Sequence, residues 1–124
     1  MKKVFLLILC PLLFLSCKGQ ESDKIKKITA EELGTALKDT VQLIDVRTPA
    51  EFKQGHIKGA LNIDVTDASF EKDLEQLNKN KPVYIYCRSG QRSNTAAKKM
   101  AQAGFDTLYD LKGGINNWDK EVIR

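Results

Sequence analysis

The run Val83-Tyr84-Ile85-Tyr86 is β-branched and aromatic, and it stops at a cysteine. Such a run reads as a buried strand. The residues that follow, Arg88-Ser89-Gly90-Gln91-Arg92-Ser93, are polar and include a glycine, and Thr95 to Ala103 is rich in helix formers. A strand, a tight loop and a helix start in direct succession bring several backbone N–H groups around one point. Cys87 holds the first position of that loop, so its sulfur stands where negative charge is favoured. Arg88 and Arg92 add two permanent positive charges. These surroundings favour a thiolate nucleophile. The competing reading is a structural cysteine at a strand end. Two arginines, a glycine and a serine are poor core material, so the reactive reading is preferred.

Other apolar stretches set the architecture. Val41 to Val46 is a strong strand that delivers Asp45 and Arg47 to one end of a sheet, and Ala60 to Ile63 and Thr107 to Tyr109 are shorter ones. Between them lie helices. Thr29 with Glu32, and Thr48 with Glu51, have capping-box spacing, and Pro49 suits a first helical position. Phe70, Leu74 and Leu77 recur at helical spacing, which is a core stripe rather than a cofactor box. Gly104 is a good helix terminator, Gly113-Gly114 predicts a turn, and Ile115 to Val122 predicts a last helix anchored by Trp118. Helices alternating with short apolar strands predict an α/β fold, a mostly parallel twisted sheet with helices on both faces. Ligands of such sheets bind at the carboxyl ends of strands, where Cys87 stands.

The N-terminus is different in kind. Lys2 and Lys3 precede an apolar run of twelve residues, Val4 to Leu15. That is short for a bilayer span and right for a signal peptide. The run ends Phe14-Leu15-Ser16-Cys17. A small residue before a cysteine resembles the lipobox of bacterial lipoproteins, although Phe14 stands where leucine is usual. The resemblance implies cleavage before Cys17 and acylation of that residue, with several acyl chains giving a firm anchor. The expected organisation is a signal peptide at 1–16, a lipidated tether at 17–27 and one folded domain at 28–124. The expected location is the bacterial cell envelope, lipid-anchored and facing the periplasm, with plain secretion to the periplasm as the alternative.

Charge and cysteine usage exclude several classes. The formal charge is +4, but without the two leader lysines 18 basic residues face 16 acidic ones. That is no nucleic-acid footprint. Three cysteines and the single histidine, His56, make neither a disulfide framework nor a zinc site. No metal or organic cofactor is expected, and the domain is expected to be a monomer.

The loop Cys87-Arg88-Ser89-Gly90-Gln91-Arg92-Ser93 resembles the active-site loop of single-domain rhodaneses, which are sulfurtransferases. Two further stretches agree. Asp45-Val46-Arg47, with Glu51-Phe52 and Gly55-His56-Ile57-Lys58-Gly59-Ala60-Leu61-Asn62-Ile63, is similar to that family's upstream signature, and Gly113-Gly114-Ile115 with Trp118 to its C-terminal one. The resemblance runs from about Ile28 to Trp118.

What the resemblance implies is covalent catalysis in two half-reactions. Cys87 takes the outer sulfur of an anionic donor such as thiosulfate, and the persulfide passes it to cyanide or a thiol. Arg88, Ser89, Gly90, Gln91 and Arg92 would bind the donor and stabilise the anion. Asp45, Arg47 and His56 would support the loop by hydrogen bonding rather than by direct chemistry. Two rivals remain. A non-catalytic persulfide carrier or docking module is one, although inactive relatives usually lack the cysteine. A cysteine phosphatase or arsenate reductase is the other. Such phosphatases have five residues between cysteine and arginine, whereas four separate Cys87 from Arg92.

Overall fold

A computed structural model of the protein describes residues 23–124. The leader, Cys17 and the front of the tether lie outside the described residues. Five strands form one sheet: β1 (Ile25–Ile28), β2 (Gln42–Asp45), β3 (Leu61–Asn62), β4 (Val83–Tyr86) and β5 (Leu108–Leu111). Their spatial order is β1-β5-β4-β2-β3, and every pairing is parallel. The helices are α1 (Ala30–Ala36), α2 (Pro49–Gln54), α3 (Phe70–Asp73, continued by a 3-10 turn at Leu74–Gln76) and α4 (Gln91–Gln102). A 3-10 turn at Gly114–Asn117 follows β5.

Strand alternation divides the core in two. Val83, Ile85 and Cys87 point to one face with Ile44, Val46 and Leu108, where Phe70 and Leu74 of the α3 segment and Ala96, Ala97 and Met100 of α4 cover them. Tyr86, Leu43, Ile28 and Leu111 point to the other, against Leu33 of α1 and the half-buried Ile115 and Trp118. A parallel sheet needs both faces covered, and this one has them.

Three elements differ from their sequence-based expectation. The tether was expected to reach residue 27, but Ile25–Ile28 is an edge strand registered against Leu108–Leu111 of β5. Its two lysines face outward and only Ile28 is buried. Charge on an edge strand guards against unwanted pairing, and it makes such a strand look like a linker. Helix α4 begins at Gln91 rather than Thr95, which puts Arg92 and Ser93 in its first turn. Finally, Ile115 to Val122 is not a helix. After the 3-10 turn the chain runs on to an antiparallel bridge between Ile123 and His56.

Candidate active site

Cys87 lies just past the carboxyl end of β4, the central strand, and its side chain is 1% exposed. Gly90 shapes the loop. Its φ of 110° is one that L side chains adopt only with strain, and it lets the chain turn at once into α4. The Gly90 N–H then donates to Cys87 Sγ at 3.0 Å. The thiol donates to Ser93 Oγ at 3.4 Å, and the Ser93 hydroxyl donates to the Gly90 carbonyl at 3.2 Å. Of the loop amides from Arg88 to Arg92, Gly90's alone hydrogen-bonds the sulfur among the described residues. Ser93, in the first turn of α4, was quoted from sequence within the loop but given no role of its own.

The two arginines stand in different states. Arg88 is exposed at the mouth of the loop, as are Ser89 and Gln91, and it forms no ion pair among the described residues. Arg92 is half-buried and doubly bonded to Glu51, Nη1 to Oε1 at 2.7 Å and Nη2 to Oε2 at 2.9 Å. The sequence assigns Glu51 a capping role, and it does accept from the Thr48 hydroxyl at 3.1 Å. Its main partner is 41 residues further on, beyond the reach of any local pattern. The Arg92 guanidinium holds the Glu51 carboxyl down to about 2, well below the usual carboxylate range. Arg92 therefore joins the loop to the N-terminus of α2, and its charge is largely spent there.

Asp45 and Arg47 form a buried frame. Arg47 Nε donates to both carboxylate oxygens at 3.0 Å, and Nη2 donates to Oδ2 at 2.7 Å and to the Gly55 carbonyl at 2.6 Å. The Arg47 backbone N–H closes on Asp45 Oδ1 at 2.9 Å. The Tyr86 hydroxyl accepts the Ile57 N–H at 3.0 Å, and Asn62 Nδ2 donates to the Asp45 and Arg47 carbonyls. His56 stacks on Phe52 with centroids 3.7 Å apart and its Nδ1 meets the Phe52 carbonyl at 2.9 Å. A carbonyl only accepts, so Nδ1 carries a proton.

The Gly113-Gly114-Ile115 stretch is more than a turn. Ile115 N–H donates to the Cys87 carbonyl at 2.8 Å and Asn116 N–H to that of Arg88 at 3.1 Å. The two carbonyls at the front of the loop are thereby tied to the turn after β5. A Cβ on Gly114 would collide with both of these oxygens. All three stretches singled out in the sequence thus converge on one loop. Glu51 holds it through Arg92, and the Gly114 turn holds it from the opposite chain end. An open depression lined by Val65, Thr66, Gln91, Arg92 and Thr95 adjoins it.

A parallel five-stranded sheet with a buried cysteine in a short loop at the carboxyl end of its central strand defines the rhodanese class of α/β domain. A Rhodanese-like domain family model matches residues 29–121, and the chain belongs to that family. Among its relatives is a protein of Allochromatium vinosum named sulfurtransferase, 38% identical over 80% of this chain and 92% of its own length. The protein YqhL of Bacillus subtilis is 39% identical over 79% of this chain and 75% of its own. The solved structure of a rhodanese-like domain protein from Staphylococcus aureus superposes with a TM-score of 0.70 at 33% identity, covering 77% of this chain and 93% of that one.

Proposed function

We propose that the protein is a sulfurtransferase that moves sulfane sulfur from an anionic donor such as thiosulfate to a thiol or cyanide, through a persulfide on Cys87. The observation that carries this reading is the loop geometry. Cys87 Sγ meets the Gly90 amide and the Ser93 hydroxyl, two small dipoles fitted to one sulfur. The Cys87 thiolate attacks the outer sulfur of the donor. A sulfur–sulfur bond forms, the bond to the sulfonyl group breaks, and sulfite leaves with the electron pair. The terminal sulfur of the persulfide anion then bonds to the acceptor, and the thiolate returns. Gly90 N–H stabilises negative sulfur throughout. Exposed Arg88 attracts the anionic donor.

The test is to mix protein with thiosulfate, without acceptor, and weigh the Cys87 peptide. One added sulfur atom is expected, and cyanide or a thiol removes it. Cys87→Ser loses adduct and turnover, and its stability stays within about 1 kcal/mol, since a serine oxygen can accept the same Gly90 N–H. Turnover by that variant would sink the reading. An adduct that forms but never turns over with any acceptor favours the persulfide-carrier alternative.

We further propose, from the leader and the lipobox-like Ser16-Cys17, that Cys17 is acylated and anchors the domain to the cell envelope on its periplasmic side.

A further inference from the structure

Asp110 has no part in the chemistry so far. It lies on β5, registered against Ile85 of β4 and Lys27 of β1. With Leu108 it points to the face covered by α4, the face that also carries Cys87. The residue is 1% exposed, and its Oδ1 has no hydrogen-bond partner among the described residues. A carboxylate kept for structure would have both oxygens satisfied, and an asparagine would fill the same space without burying charge. The Ser93 hydroxyl of α4 favours the charged form of Asp110 by hydrogen bonding, as Lys27 does by its charge. Burial outweighs both and pushes the carboxyl up. Ser93 is itself fully buried and accepts the Cys87 thiol proton at 3.4 Å.

We infer that Asp110 is a positioning residue that acts through Ser93 as the internal proton acceptor for the Cys87 thiol. The step balances within the protein. The S–H proton passes to Ser93 Oγ as the Ser93 O–H proton passes to Asp110. A thiol and a carboxylate become a thiolate and a carboxylic acid, and net charge is unchanged. The Ser93 hydroxyl carries one proton, which turns from the Gly90 carbonyl to Asp110 for this step. Negative charge moves from the apolar interior to the loop, where the Gly90 amide meets it and Arg88 and the Arg92–Glu51 pair stand nearby. The protonated Asp110 then no longer repels the sulfur anion. When the thiolate is regenerated the proton returns by the same path.

This rests on Cys87 being the reactive sulfur, and the test reads that sulfur without sulfur transfer. Iodoacetamide alkylation of the full-length protein is followed against pH by mass spectrometry of the Cys87 peptide. A pair that shares one proton keeps a nearly flat alkylation rate across the range where it holds that proton. In Asp110→Asn the flat region should vanish, with the rate falling about tenfold per pH unit on the acid side, while the thermal unfolding midpoint rises as a buried charge is removed. Ser93→Ala should lose the flat region with Asp110 in place, and Ser93→Thr should restore it. If Asp110→Asn does not fold, the two Ser93 variants decide. Faster alkylation in Asp110→Asn, or an unchanged profile in Ser93→Ala, overturns the relay, because a merely repulsive or structural carboxylate predicts those results. A wild-type protein with the flat profile but no thiosulfate adduct would leave the relay standing and remove the proposed substrate instead.

Discussion

Gly114→Ala tests whether the C-terminal turn builds the cysteine loop or merely neighbours it. The glycine sits at φ 61°, and an alanine there meets the Cys87 and Arg88 carbonyl oxygens, which are backbone and cannot swing aside. The left-handed conformation alone costs a side chain about 1–2 kcal/mol. Relieving the collision means moving the turn away, which gives up the Ile115-to-Cys87 and Asn116-to-Arg88 hydrogen bonds, each worth about 1 kcal/mol net. The expected loss is about 3–4 kcal/mol. Gly59→Ala is the control. Its φ is 88° and a Cβ there meets nothing within 4 Å, so it should cost only the conformational part, about 1–2 kcal/mol. Urea unfolding of the two variants beside the parent gives both differences from the shift in midpoint at constant slope. Persulfide formation on Cys87 should drop in Gly114→Ala and persist in Gly59→Ala. Equal losses of stability at the two positions would refute the reasoning, because they would mean that the contact with the loop carries no energy.

The arginines should separate. Arg88→Ala should cost less than about 0.5 kcal/mol of stability yet weaken use of anionic donors more than neutral ones, with the wild-type rate falling as salt is added; Arg92→Ala should cost about 1–2 kcal/mol because it strands a part-buried Glu51. Equal stability of the two variants in urea would contradict this assignment. The Glu51 carboxyl sits at about 2 in the fold against an ordinary 4.5, so its contribution is complete above the ordinary value and is lost as pH falls from there toward 2. Glu51→Gln should flatten that part of a plot of unfolding midpoint against pH, and an unchanged slope would show that the pair adds no stability. Cys17→Ser should release the protein from membranes on fractionation, and retention of the variant there would refute the anchor.

The parts of the site that were legible in the sequence are those whose signal is local. Val83 to Tyr86 is a strand because β-branched and aromatic residues suit a pleated buried surface, and Cys87 ends it because the residues beyond are polar. Both capping boxes formed as their spacing predicts. The parts that were hidden depend on distant partners. Helix α4 is N-capped by Gly90 without a side-chain hydrogen bond, so none of the usual Ser, Thr, Asp or Asn signals marks its true start at Gln91. Strand β1 is stabilised by pairing with β5 and buries only Ile28 well, too little to register as an apolar run. The Gly113-Gly114 pair looks like any turn until the Cys87 carbonyl is seen against it. Asp110 is one charged residue in a short apolar strand, and nothing local in the sequence marks it as buried.

These hidden contacts decide which groups act on the sulfur. From sequence, two arginines and a row of amides surround Cys87. In the fold one arginine is bound to Glu51, one amide reaches the sulfur, and the thiol is buried. Long-range attraction and local stabilisation therefore fall to different groups. Arg88, exposed at the mouth, can raise the encounter rate with an anion, but in water its charge is screened within about 10 Å at ordinary salt. The Gly90 N–H and the buried Ser93 hydroxyl act at hydrogen-bond distance on a buried sulfur, where solvent screens them less. Their placement depends on the loop being stiff. That stiffness comes from the Glu51–Arg92 pair at one end and from the Ile115 and Asn116 amides at the other. Scaffold residues far apart in the chain thus set the chemistry of a sulfur whose hydrogen bonds, among the described residues, lie within its own loop and the first turn of the helix behind it.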